Sequence, residues 1–439
     1  MAAQILTQHV IPIPRSSNTP TEISSRITST APTDEVAELD SRRLSCVYCG
    51  IPQFRTSAMV KNSSCGRGRS IGCNRAPSSF HLRKRAFIDY GPESLKIALV
   101  APPLIAVPPV DYGGTELFVA QLAEGLARAG MDVTVYANGE STVNVKRRWI
   151  YQTSQWPIKV PERARLRELN HESWAMHDAA PDCEVIHVQS AQALTFSRFL
   201  GCGIVLTLHG PHEDHLSEFF SFYPDAHYVC ISEAQCAREK MPKMRTIHHG
   251  IDTSLYQISE QKQHYLSFIG RIAPLKGTHI AIEVAKRTGI PLKIAGDVQP
   301  MYREYFEKKI KPHVDGTFIE YVGLADHAAK NELLSQSKAM LFPIQWDEPF
   351  GLVMVEAMAC GTPVVAMAGG SVPEVVRNGV SGYICRSVTQ MAKRVTDLNL
   401  QPAAVRKYVE ENFSITHMVQ EYVNLYKEVA SEHRSISAA

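Results

Sequence analysis

No stretch of this 439-residue chain carries the roughly 18 consecutive apolar residues that a bilayer-crossing helix needs. The N-terminus, MAAQILTQHVIPIPRSS, lacks the basic start, clean hydrophobic core and small-residue cleavage site of a secretory signal. A cytoplasmic protein is expected, with organelle import by the leader as the alternative. Net charge is also nearly missing: +2 over the whole chain argues against a dedicated nucleic-acid binder. The ten cysteines follow no disulfide framework. Cys183, Cys202, Cys230, Cys236, Cys360 and Cys385 lie in or beside apolar segments, where a free thiol behaves as a small core residue, so a reducing compartment is expected. Neither a Walker lysine nor a dinucleotide fingerprint accompanies any glycine loop, which excludes the common nucleotide-binding signatures.

One absence is local. From Ser41 to Phe87 there is no acidic residue, while Arg42, Arg43, Arg55, Lys61, Arg67, Arg69, Arg75, Arg83, Lys84 and Arg85 are present. Residues 1–90 are Ser-, Thr-, Pro- and Arg-rich without a sustained apolar period, and a disordered basic leader is expected. Cys46, Cys49, Cys65 and Cys73 offer four thiols to a zinc ion, but the second pair is spaced by seven residues and no ribbon pattern surrounds it. A reduced, unstructured leader is the reading preferred, and no metal site is assigned.

From Leu95 onward the text alternates between apolar strands and helical stretches. KIALVA at 96–101, a helix from Leu117 to Ala129 closed by Gly130, VTVYA at 133–137, EVIHV at 184–188, GIVLTLH at 203–209 and YVCIS at 228–232 form a first series. A polar segment from Asp252 to His264 reads as a linker. A second series then runs through YLSFIG at 265–270, PLKIAG at 291–296, TFIEYVG at 317–323, AMLFP at 339–343 and a helix within DEPFGLVMVEAMACGTPVV at 347–365. Near-continuous apolar strands imply parallel sheets covered on both faces. Two tandem doubly wound α/β domains follow, 91–255 and 256–439, with a cleft between them as the ligand site. Met418, Tyr422, Leu425, Tyr426 and Val429 form one stripe of a closing helix suited to packing back on a domain.

Five features carry candidate chemistry. Gly113 and Gly114 precede a helix N-terminus, where free amides and the helix dipole attract phosphate. Arg271 and Lys276, in GRIAPLKG at 270–277, place a guanidinium fork and a point charge on a strand-to-helix loop, suited to a diphosphate. Phe350, Gly351 and Leu352 offer amides at another helix start. Glu348 and Glu356 lie eight positions apart, which on a helix is about 12 Å of rise, so a shared-proton dyad is excluded and two ends of an elongated ligand are indicated. His209 ends its strand before a Gly-Pro break and is expected to point singly into the cleft. The spacing of His209, His212 and His215 looks metal-like, but the break argues against convergence.

Taken together, GGTE at 113–116, GRIAPLKG at 270–277, the Glu348–Glu356 pair and CGTPVVAMAGGSVPEVV at 360–376 resemble the retaining family 4 glycosyltransferases of GT-B fold. KIALVAPPLIAVPPVDYGGTELFVAQLAEGLARAGMDVTVYANG at 96–139 is similar to the avilamycin-type subgroup. The resemblance spans about 95–430 and implies two facing Rossmann-like domains, the first for the acceptor and the second for a nucleotide-sugar donor, a UDP-sugar. It implies that Glu348 holds sugar hydroxyls and Glu356 the ribose, that Arg271 and Lys276 take the diphosphate with Gly114 approaching from the opposite domain, and that His209 faces the donor sugar. It implies transfer with retention, and no metal or cofactor. Gln189 stands where the family often has His, and His249 where Asn is frequent; neither is expected to touch the donor motif. The leader has no counterpart.

The acceptor, whether glycan, lipid or small molecule, is left open, with variable loops between Ser141 and Ala180 expected to read it. Two alternatives stand beside transfer: a GT-B relative that epimerises a nucleotide sugar or cleaves glycans with phosphate, and a nucleotide-sugar binding protein whose basic leader grips RNA or an acidic membrane surface.

Overall fold

The computed structural model describes residues 94–437 apart from 111, 112 and 157. The basic leader and its four cysteines lie outside the described residues. The first half contains β1 (Lys96–Val100), α1 (Gly114–Arg128), β2 (Asp132–Tyr136), β3 (Lys146–Arg148), α2 (Pro161–Ala179), β4 (Val185–Val188), α3 (Leu194–Ser197), β5 (Gly203–Leu208), α4 (Asp214–Phe220), β6 (His227–Cys230), α5 (Glu233–Cys236) and β7 (Met244–Thr246). The second half contains β8 (Leu266–Ile269), α6 (Thr278–Thr288), β9 (Leu292–Ala295), α7 (Arg303–Tyr305), β10 (Ile319–Gly323), α8 (His327–Gln336), β11 (Ala339–Phe342), α9 (Leu352–Ala359), β12 (Val364–Met367), α10 (Val372–Val375), β13 (Gly382–Cys385), α11 (Val388–Thr396), α12 (Pro402–Asn412) and α13 (Ile415–Ser437).

Each half forms one parallel sheet. The first has the order β3-β2-β1-β4-β5-β6-β7 and the second β10-β9-β8-β11-β12-β13. The fold expected from the apolar strands is therefore the one observed. Alternation along the strands explains it: Ile97 and Leu99 pack on one face of the first sheet with α1, while Ala98 and Val100 pack on the other with Ala175 and Met176 of α2. Both faces of the central strands are buried, so those strands cannot tolerate a polar face. In each sheet the chain reverses direction of winding beside the first strand, between β1 and β4 and between β8 and β11. Loops diverge there and leave a crevice at the carboxyl ends.

Two strands escaped the apolar pattern. β3, Lys-Arg-Arg, is fully exposed, and β7, Met-Arg-Thr, is half-buried; both are sheet edges, where backbone pairing does not require apolar side chains. The stretch from Ser141 to Ala180, expected as acceptor loops, keeps loops in its first half apart from β3, but its second half is the 19-residue helix α2. Its buried face includes Glu168, His171 and Glu172, so the hydrophobic period that marks a helix is interrupted by polar residues.

α13 crosses back. Met418, Tyr422, Leu425, Tyr426 and Val429 join the core of β1, α1 and β2 in the first half. The Tyr426 hydroxyl and His187 Nδ1 are 2.7 Å apart, His187 Nε2 reaches Thr207 Oγ1 at 2.8 Å, and Thr207 reaches Tyr422 at 2.9 Å. A chain of buried hydrogen bonds thus ties the last helix to β4 and β5. Among the described cysteines, all six are free thiols.

Candidate active site

Two cavities, of about 340 and about 270 Å³, open on the cleft between the sheets. They share Gly113, Gly114, Arg271, Lys276, Glu348, Gly351 and Leu352. Glu356 lines only the larger; His209 and Phe350 line only the smaller. All ten candidates read from the sequence thus border one continuous space, with seven at its waist.

The waist is made by backbone geometry. Gly113 precedes α1 with φ 151°, and a Cβ there would approach Glu116 Oε2 to 2.7 Å. Its conformation and the crowding both require glycine. α1 begins at Gly114, three residues earlier than the apolar period suggests, and its free amides face the cleft. Across the cleft, Gly277 has φ 73°, and a Cβ would come within 2.0 Å of Pro343 O. That contact seats the Arg271–Lys276 loop on β11. Lys276 Nζ is 2.5 Å from Glu348 Oε2, which also accepts from the Trp346 indole at 2.8 Å. With side chains 15% and 10% exposed, the pair is buried, and each charge needs the other to offset desolvation.

Glu348 does not lie on the helix. α9 starts at Leu352 with Gly351 as its N-cap, in the left-handed region at φ 78°. The 12 Å helical separation expected between the two glutamates therefore does not apply. The chain turns at Pro349 and Gly351, and the glutamates are kept apart by their partners. Glu356, 4% exposed, accepts from Tyr256 at 3.1 Å and from Lys330. An apolar helix carries a carboxylate because α8 brings a lysine to it. Lys330 lines the same cavity; neither it nor Tyr256 and Trp346 has a sequence signature, since one lysine on a mostly polar helix reads as solvated surface.

His209 directly follows β5 and is half-buried against its neighbours. Its Nε2 is 2.8 Å from Gln189 Oε1, and its ring stacks on His249 at 5.6 Å and 13°. Burial holds the imidazole well below its ordinary pKa, with His249 adding to the effect, and burial lowers His249 to about 3. Both rings are neutral at physiological pH. As placed, the Gln189 carbonyl makes His209 Nε2 the donor, leaving Nδ1 as an acceptor. Gln189 and His249 were expected not to touch the donor motif. Instead Gln189 orients His209, and His249 packs edge-on against Phe350 at 5.2 Å. The strand ends β4 and β5 are sheet neighbours, a proximity that linear text does not display.

The triplet of histidines does not converge. His212 Nδ1 pairs with Glu239 at 2.8 Å and Nε2 with Asp214 at 3.1 Å, whereas His215 pairs with Glu213. Among the described residues no group of three or more metal-ligating side chains is assembled. A second set of contacts links the halves beside the site. Glu374 on α10 accepts from the backbone amides of Glu233 and Ala234 at 2.8 and 3.0 Å and from His248 at 2.8 Å. Burial pushes its carboxyl up, but these hydrogen bonds outweigh it and the net shift is downward.

Facing parallel-sheet domains, a glycine-lined helix start on one wall and two cations on the other form the two-domain cleft of a GT-B glycosyltransferase. Comparison bears this out. A model of Glycosyltransferase Family 4 matches residues 112–255 and one of Glycosyl transferases group 1 matches 256–413. The chain belongs to the glycosyltransferases of GT-B fold. It is 27% identical over 219 residues to D-inositol 3-phosphate glycosyltransferase of Mycolicibacterium smegmatis, a match covering 44% of this chain and 49% of that protein. The chain thus spans about half the length of that relative. An uncharacterized glycosyltransferase of Methanocaldococcus jannaschii is 24% identical over 397 residues, covering 76% and 98%. Among solved structures, a glycosyltransferase involved in avilamycin A biosynthesis superimposes with a TM-score of 0.60 at 24% identity, covering 77% and 98%. A glycosyltransferase of Anabaena solved with UDP and glucose gives 0.60 at 17%, covering 76% and 100%.

Proposed function

We propose that the protein transfers a glycosyl group from a nucleoside diphosphate sugar, a UDP-sugar, to an acceptor hydroxyl with retention at the anomeric carbon. The observation that carries this is the pair of cavities joined at Gly113, Gly114, Arg271, Lys276, Glu348, Gly351 and Leu352. The nucleoside lies in the larger cavity with its ribose hydroxyls on Glu356. The diphosphate occupies the waist, between the α1 amides and the Arg271 and Lys276 cations. The sugar enters the smaller cavity toward Glu348 and His209.

Bond cleavage places negative charge on the β-phosphate. Arg271, Lys276 and the residues Gly114, Gly351 and Leu352 line the waist where that charge develops, and fixed donors there would stabilise it with little reorganisation. Neutral His209 offers an acceptor nitrogen to a sugar hydroxyl without adding charge. Glu348, engaged by Lys276 and Trp346, fixes hydroxyls and does not serve as a nucleophile; leaving oxygen and acceptor hydroxyl meet on one face of the sugar. The likeness to the avilamycin-type subgroup belongs to this reading.

The test is calorimetric titration with UDP, followed by mass-spectrometric screening of UDP-sugars for turnover. A product bearing the sugar on a new acceptor with unchanged anomeric configuration supports transfer. An epimerised nucleotide sugar, or release of a sugar phosphate, would replace it by one of the other chemistries.

A further inference from the structure

The first-domain wall of the smaller cavity includes Leu104, Ile105, Glu116, Trp156, His209 and His249. Among the described residues lining that wall there is no lysine or arginine; both cations in the cavity, Arg271 and Lys276, come from the second domain. Lys276 is already paired with Glu348. Glu116 is 6% exposed, and burial raises its carboxyl to about 7, with Glu168 on α2 contributing negative potential. Behind it, Glu172 is raised further, to about 8, by burial and by Glu168. Gln189, 9% exposed, orients His209 with its carbonyl while its Nε2 donor has no protein partner.

Building on the donor reading above, we infer that the acceptor is an uncharged polyhydroxylated compound, a sugar or glycoside, and not a phosphorylated one. A phosphate monoester brings close to two negative charges. Here it would meet the Glu116 carboxyl and two neutral imidazoles, with both cations of the cavity turned to the donor diphosphate. A doubly charged group there finds no positive partner to offset its desolvation. Hydroxyl groups suit the same wall: they exchange hydrogen bonds with the Glu116 carboxyl, while the apolar face of a sugar ring packs on Trp156. Selectivity would thus come from the cost of burying an unpaired charge as well as from the hydrogen bonds offered to hydroxyls.

The experiment uses the full chain with UDP present. Methyl α-glucoside, maltose and myo-inositol are compared with glucose 6-phosphate and inositol 3-phosphate by tryptophan fluorescence titration, and the same compounds are offered as acceptors. The neutral set is expected to bind at least tenfold more tightly. Glu116→Gln should lower transfer to a neutral acceptor about tenfold while UDP affinity stays within twofold, and Trp156→Ala should do the same without touching a buried carboxyl. Glu116→Arg should narrow or reverse the preference. Equal or tighter binding of the phosphorylated set, or unchanged transfer in both Glu116→Gln and Trp156→Ala, overturns the inference. Failure of UDP to bind strikes the donor reading instead, because the acceptor ranking is read directly from binding.

Discussion

The two walls of the cleft come from the same strand-helix repeat yet manage charge in opposite ways. On the second-domain wall the charges are kept and paired: Lys276 with Glu348, Lys330 with Glu356. On the first-domain wall they are suppressed: burial leaves His209 and His249 uncharged and raises the Glu116 carboxyl. One wall is suited to compensating a diphosphate, the other to hydroxyl groups. The difference shows that a fold sets where loops meet, whereas the side chains of those loops decide which partner each wall accepts.

The largest effect should come from removing a cation of the paired wall. Lys276→Ala is expected to lower UDP-sugar turnover by about 10²–10³-fold, the scale of losing one preorganised charge-stabilising donor; coupled detection of released UDP measures it. Breaking the second pair should separate stability from binding. Glu356→Ala leaves Lys330, 20% exposed, without its carboxylate and should cost about 3 kcal/mol, the low end for breaking a buried pair, read by denaturant unfolding. A Glu356→Met, Lys330→Met double variant should recover most of that stability yet still fail to bind UDP, since ribose hydroxyls gain nothing from thioethers.

A smaller effect is expected at the junction of the walls. Glu374→Gln keeps the shape but removes the carboxylate that caps α5 and meets His248; UDP affinity should fall a few-fold. The exposed Arg238–Asp347 pair, 49% and 64% exposed, should contribute at most about 1 kcal/mol, so Arg238→Ala serves as the control.

The suppressed wall makes a prediction about pH. Glu116 and Glu172 titrate at about 7 and about 8 when folded, against an ordinary value of 4.5. The folded chain therefore holds more protons than the unfolded chain across that window, and stability falls as pH rises through it. Glu172→Gln should raise the melting temperature at pH 8 by a few degrees and change it little at pH 4. An equal shift at both pH values would show that the buried carboxyl is not the cause.

Much of this was legible in the text. The β1-to-α1 glycines, the GRIAPLKG loop and both glutamates could be found because each lies next to an apolar strand or helix whose period is unmistakable. Their neighbours could not. Lys330, Tyr256 and Trp346 meet their glutamates only after α8, the linker and the β11 loop have folded together. Gln189 and His249 looked remote because 20 and 40 residues separate them from His209, although pairing of β4 with β5 brings Gln189 beside it and the loop after β7 stacks His249 on its ring. Glu168, His171 and Glu172 obscured α2, since buried acids in a helix defeat a pattern built on hydrophobicity.

By itself, then, the sequence determined the alternation of apolar strands and helices, and with it two parallel sheets and the crevices at their carboxyl ends, because burial on both faces leaves no other placement for such strands. The protonation and pairing of the site residues belonged to the tertiary structure alone. Whether Glu356 is a core error or half of an ion pair, and whether His209 is charged or neutral, depends on desolvation and on partners distant in sequence, and both exist only once the chain is packed.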